Sequence, residues 1–142
     1  KPADVEEEPI PEDWISLTVE KDLENFIAAQ PYVIEPGLTL VKTQYETGVG
    51  RIDLLLKDRQ GRPVVVETKR GRESDKVVGQ VLRYMGWLLA NENDQVRGII
   101  LVSEPDARLE YAAFAVPNID LVTYKVRFEL ERQSGPQEDA TR

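Results

Sequence analysis

The sequence predicts an α/β fold, a mixed sheet flanked by helices with elements in the order αβββαβαβ. Three observations carry this reading. Residues 51–57 and 63–69 are strand-like runs joined by a short turn, DRQGR at 58–62, with Gly61 inside it. Residues 74–90 repeat apolar side chains at helical spacing. Residues 97–103, RGIILVS, hold a continuous apolar run, which needs cover on both faces and so belongs inside a sheet with helices on either side.

Each element has its own warrant. Val19, Leu23, Phe26 and Ile27 recur at helical spacing, with Thr18 as the expected N-cap and Pro31 as the stop. Strands are expected over 38–46 and 51–57, the second with Ile52, Leu54 and Leu56 in alternation. The third strand, PVVVETK at 63–69, starts on a proline where a ladder donor is dispensable. The long helix 74–90 has Val77, Val78, Val81, Leu82, Met85, Leu88 and Leu89 as its apolar face, with Ser74 as its cap. A strand at 97–103, a short helix near 106–115 and a long, bent strand over 119–131 complete the domain, residues 14–131. Residues 1–13, with three prolines and an acidic run, read as a flexible lead-in, and 132–142 as a disordered tail.

Composition narrows the chemistry. The chain has 142 residues and no Cys or His, so disulfides, zinc sites built on those ligands and His- or Cys-dependent triads are excluded. A bound metal must have oxygen ligands, which points to Mg²⁺, Mn²⁺ or Ca²⁺. The net charge of −8 argues, taken whole, against a polyanionic partner. Its distribution reverses that. Residues 1–24 hold nine acids and two bases, whereas residues 51–83 hold nine bases and five acids. No run approaches the roughly 18 apolar residues of a membrane span, and no secretion signal opens the chain. The expectation is a soluble cytoplasmic protein with no membrane partner.

The chemistry gathers on two adjacent strands. Glu67 and Lys69 are two apart and share a face of their strand. Paired residues of a hairpin keep a constant sum, and matching Asp53 with Glu67 centres the turn near Gln60-Gly61, where the turn residues stand. Two adjacent carboxylates are costly unless a cation neutralises them. A divalent cation on Asp53, Glu67 and a carbonyl, most simply that of Thr68, would do so, with Lys69 beside its bound water. This set suits phosphodiester hydrolysis. The plain alternative is a solvated face of acids and a lysine. Against it stand Arg51 between Gly50 and Asp53 as a phosphate partner, and the basic stretch Lys69, Arg70, Gly71, Arg72 leading into a helix N-terminus. Gln80 and Tyr84, four apart with Arg83 between, add a polar helical face expected to turn toward the site.

Asp53, Glu67-Thr68-Lys69 and Gln80-x-x-x-Tyr84 together resemble the PD-(D/E)xK nuclease superfamily in its RecB-like form. The phrases LENF, IEPGL, YETGVGRIDLL, VVVETKRGR and VVGQVLRYMGW look like the catalytic C-terminal domain of NucS/EndoMS endonucleases, over about residues 18–103. The resemblance implies a restriction-endonuclease-like sheet, with Asp53 and Glu67 as metal ligands and Lys69 as the catalytic lysine. It implies Gln80 and Tyr84 as site-lining positions, and an acid on the first helix, Glu24 or alternatively Glu20, completing the metal shell. Arg51, Arg70, Arg72 and Arg83 would face DNA. The chain departs from the family in its polar Thr68, at a commonly apolar position. Family members resemble two-domain proteins with an N-terminal DNA-binding and dimerising domain, and a proline-rich acidic lead-in precedes the nuclease-like part here, as expected of either an excised domain or a standalone relative. The implied function is a Mg²⁺- or Mn²⁺-dependent DNA endonuclease acting in repair on mismatched, branched or single-stranded DNA, associated with the nucleoid. The alternatives are a RecB-like exonuclease or junction resolvase, or an inactive DNA-binding module. A homodimer, or a fused or partner DNA-binding domain, is plausible because cutting both strands takes two sites.

Overall fold

The computed structural model describes residues 12–91 and 93–136. Most of the expected lead-in, and residues 137–142 of the expected tail, lie outside them. The elements run α1 (Glu12–Ala29), β1 (Thr39–Thr47), β2 (Gly50–Lys57), β3 (Pro63–Glu73), α2 (Lys76–Ala90), β4 (Arg97–Pro105), α3 (Ala107–Phe114) and β5 (Ile119–Thr123), with one 3₁₀ turn at Pro31–Val33. The five strands lie side by side in chain order. The first three are antiparallel, and β3, β4 and β5 are parallel. This is the mixed sheet with flanking helices that the pattern of the sequence predicts.

Both faces of the sheet are covered. On one face Ile27 of α1 packs on Leu54, Leu56, Val64, Val66, Ile99 and Leu101. On the other, Val77, Val81, Tyr84 and Met85 of α2 and Leu109 of α3 pack on Val65, Ile100 and Val102. Strand alternation explains the run Val64-Val65-Val66, whose members serve alternate faces and are all fully buried. Burial of this apolar surface is the main force holding the layers together. Gly98 lets α2 approach β4. A Cβ there would stand 2.6 Å from Val81 Cγ1 and 2.9 Å from Met85 Sδ.

Several boundaries differ from expectation. α1 begins at Glu12, so Thr18 lies inside the helix and is not its N-cap. α2 begins at Lys76 with Asp75 rather than Ser74 at its cap position, because β3 runs on to Glu73. β5 stops at Thr123 instead of 131. Its ladder with β4 ends at Val102↔Thr123, beyond which β4 pairs only with β3, at Arg72↔Glu104 and Glu73↔Pro105. Tyr124 N still donates to Val102 O, and the chain then leaves the sheet with Val126, Phe128 and Leu130 exposed.

Candidate active site

The β2–β3 ladder runs from Lys57↔Pro63 to Leu54↔Val66. Its register is the one expected from the turn, and one further step sets Asp53 across from Glu67. There the two strands part. Asp53 Oδ2 instead accepts from Thr68, at 3.0 Å from the backbone N and 3.3 Å from Oγ1. β2 also rotates at this point. Ile52 belongs to the α2 side of the core and Leu54 to the α1 side, although side chains two apart in a regular strand share a face.

Glu67 is 1% exposed, and its Oε1 has no hydrogen-bond partner among the described residues. Burial, then the nearby Asp53 charge, pushes its carboxyl up to about 8, while Lys69 pulls it the other way. Buried polar atoms are nearly always paired, so this oxygen stands out in the core. Lys69 is half-buried two residues on, and its carbonyl accepts from Tyr124 Oη at 2.9 Å.

The two acids of α1 have different positions. Glu24 is buried, and its pKa is raised first by burial and then by Asp53. Its Oε1 accepts from Gln44 Nε2 at 2.9 Å. Glu20 Oε1 accepts from the backbone N of Arg70 at 3.0 Å, which ties α1 to the end of β3. A cavity of about 710 Å³ is lined by Glu20, Lys21, Asp22, Glu24, Gln44, Arg51 and Asp53. Among the described residues no group of three or more acids is drawn together tightly enough to hold a metal ion alone. The donor set that does gather is oxygen only.

The other expected residues are distributed around this centre. Arg51 is exposed on the cavity wall and donates to Glu46 Oε1 at 2.8 Å. Arg70 and Arg72 line a separate groove with Lys125, Arg127 and Phe128. Tyr84 is buried in the α2 side of the core, not turned to an open site face. Its hydroxyl lies under Gly50, where a Cβ would come within 2.8 Å of Oη. Arg83 lies on the Tyr84 ring, 5.3 Å from its centroid. Gln80 is half-buried and its side chain makes no hydrogen bond among the described residues. Gln44 and Lys21 escaped the sequence reading. A register count across the β1–β2 turn would have found Gln44, since Thr43↔Leu54 and Tyr45↔Ile52 place it opposite Asp53.

A mixed sheet with Asp53, Glu67 and Lys69 at the parted end of its β2–β3 hairpin is the arrangement that the resemblance to PD-(D/E)xK nucleases implies. The family model of the Endonuclease NucS C-terminal domain matches residues 19–112, and the chain belongs to that family. It is 44% identical over 95 residues to Endonuclease NucS of Frankia alni, covering 64% of this chain and 43% of that protein. The structure of an EndoMS–dsDNA complex superposes with a TM-score of 0.69 at 25% identity, over 89% of this chain and 50% of that one. A repair endonuclease from Pyrococcus abyssi shares the fold, with a TM-score of 0.67 at 23% identity over 85% of this chain and 50% of that one. The chain therefore spans less than half of the Frankia protein and half of each of these structures.

Proposed function

We propose that this domain is the catalytic unit of a DNA endonuclease that hydrolyses phosphodiester bonds with Mg²⁺ or Mn²⁺. The observation that carries the reading is the orphaned Glu67 Oε1, buried beside Asp53 at the parted end of the hairpin. A buried carboxylate with one oxygen left without a donor is available to a cation, and an all-oxygen donor set suits a hard divalent one. Asp53 and Glu67 would hold the ion, with Glu24 and the Thr68 carbonyl as further oxygens. A bound divalent ion supplies Lewis-acid charge and acidifies its water.

The chain's own residues do the rest. Lys69, on the same strand face as Glu67, stabilises the negative charge of an attacking oxygen. Arg51, at the cavity wall, offers a guanidinium to a phosphate. Arg70 and Arg72 extend the basic surface along β3, and Arg83 adds a cation on α2. Gln80 would line the site from the same helix, and Tyr84 supports the β2 entry from beneath Gly50. Relatives named as endonucleases, one solved with dsDNA and one described as a repair enzyme, support DNA as substrate and repair as the setting. Such a substrate would suit a cytoplasmic, nucleoid-associated setting. Cutting both strands would take two copies or a partner domain. The complete acid, acid and lysine set disfavours an inactive binding module.

The test uses Asp53→Ala and Lys69→Ala on a panel of mismatched, branched and single-stranded DNA with Mn²⁺. Both variants are expected to fold, by circular dichroism, and to lose cleavage. Full cleavage by either would remove the proposal. End-labelled substrates in the same panel separate internal cutting from exonuclease or junction-resolving action.

A further inference from the structure

Gln44 combines three features that meet at one place. Its φ is +50°, and among the described residues it is the only non-glycine with a positive value. It sits in the middle of β1, with the ladder intact on either side at Thr43↔Leu54 and Tyr45↔Ile52, so it lies directly across from Asp53. Its amide Nε2 donates to Glu24 Oε1 at 2.9 Å.

A left-handed conformation is unfavourable for a residue with a β-carbon and is rare for glutamine in a strand. Such strain persists where surroundings impose it, and it collects at functional sites. Here it coincides with the point at which β2 rotates, between Ile52 on one side of the core and Leu54 on the other. Distortion of both strands at the Gln44–Asp53 position brings a β1 amide to an α1 carboxylate. Gln44, Glu24 and Asp53 all line the same cavity. The amide occupies one oxygen of Glu24. The other, Oε2, accepts no hydrogen bond among the described residues.

We propose that Gln44 is a positioning residue, held in a left-handed conformation across from Asp53 so that its amide fixes the Glu24 carboxylate for the divalent cation. This rests on the metal-dependent reading of the site. Gln44 itself touches neither metal nor substrate. It orders a first-helix acid at the contact between α1 and the sheet, and it selects Glu24 over Glu20, which is engaged with the Arg70 backbone. A hydrogen bond that orients a metal-binding carboxylate is the recurrent role of such outer partners.

The decisive variant is Gln44→Gly, because glycine accepts the backbone conformation without strain while the amide is lost. Mn²⁺ binding is measured by calorimetry and thermal stability by scanning, on wild type, Gln44→Gly, Glu24→Gln, the double variant and Asp53→Ala. Gln44→Gly should keep or raise Tm yet weaken Mn²⁺ binding by about tenfold, within the range for partners that orient a ligand. The double variant should bind Mn²⁺ no more weakly than Glu24→Gln alone, within about twofold, since the two act as one unit. Gln44→Asn, which tolerates the conformation but is one methylene shorter, should not restore affinity. Unchanged Mn²⁺ affinity in Gln44→Gly, or losses that add in full in the double variant, would overturn the proposal while leaving the metal site standing. Wild-type protein that binds no Mn²⁺, or Asp53→Ala that binds it normally, overturns the metal reading itself, and the role of Gln44 with it.

Discussion

The β2–β3 hairpin has a buried carboxylate at each end, and the two are treated in opposite ways. At the turn end, the Asp58 side chain is 3% exposed. Its Oδ1 accepts from the backbone N of Gln60 and of Arg62, and its Oδ2 from Arg62 Nε at 2.7 Å and Arg97 at 3.3 Å. Arg97 also binds Glu35 through two nitrogens and reaches Asp120, so the loop after α1, the hairpin turn, β4 and β5 share one guanidinium. Burial pushes the Asp58 pKa up, but these hydrogen bonds outweigh it and the net shift is downward. At the open end, Glu67 is just as buried and has one oxygen with no donor. Burial and Asp53 push it up to about 8. The first carboxylate is satisfied by its own chain and serves the fold. The second is left unsatisfied, and in the functional reading its partner is a ligand.

The largest expected effect separates the two ends by activity. Glu67→Gln should lower DNA cleavage with Mn²⁺ by about a hundredfold or more, since replacing a metal ligand costs at least as much as losing an outer partner. The same change should leave metal-free stability equal or higher at pH 8, because it removes a buried charge that the fold does not neutralise. Asp58→Ala should do the reverse, lowering stability by roughly 3 kcal/mol in urea unfolding because it strands two backbone donors and Arg97. A Glu67→Gln protein that unfolds more readily than Asp58→Ala would erase the distinction.

The next effect is in pH. The Glu67 carboxyl keeps its proton in the folded protein after the unfolded chain has released it. Metal-free stability should therefore fall as pH rises from the ordinary value of 4.5 toward 8. The slope from this one group is at most about 1.4 kcal/mol per pH unit. Glu67→Gln should flatten it. Asp58 acts on the acid side, where its contribution is present above 3.8 and is lost as pH falls through its lowered folded value. Mn²⁺ should raise Tm more at pH 8 than at pH 5, since it competes with the Glu67 proton. A Tm shift independent of pH would separate the metal from Glu67.

The smallest effect compares the two acids of α1. Glu24→Gln should weaken Mn²⁺ binding about tenfold, the scale of one ligand or its orienting partner. Glu20→Gln should change it less than about threefold, since an amide oxygen can still accept from Arg70 N. Equal losses would return the choice between the two to where the sequence left it.

Much of the open end was legible in the chain itself. The strand period of two and the DRQGR turn settled the β2–β3 register, whose continuation past Leu54↔Val66 leads to Asp53 and Glu67. The continuous apolar runs of β3 and β4 required helices on both faces, and those helices are present. The uneven charge removed the objection that a net −8 raises against DNA. These features are local, and local geometry follows from spacing.

Only the tertiary structure decided the rest. Glu20 and Glu24 are one turn apart on α1, and their different positions depend on how that helix is rotated on the sheet, which core packing sets. Tyr84 was expected on an open site face. It is buried because Val77, Val81 and Met85 share its stripe, and its hydroxyl fits under the bare Cα of Gly50. β5 ends at Thr123 although the alternation continues, since a strand needs a neighbour and β4 there pairs only with β3. The left-handed Gln44 has no sequence signature, because glutamine reveals nothing about φ. It occurs where the ladder holds on both sides of it and its amide meets the Glu24 carboxylate, contacts that exist only in the folded chain.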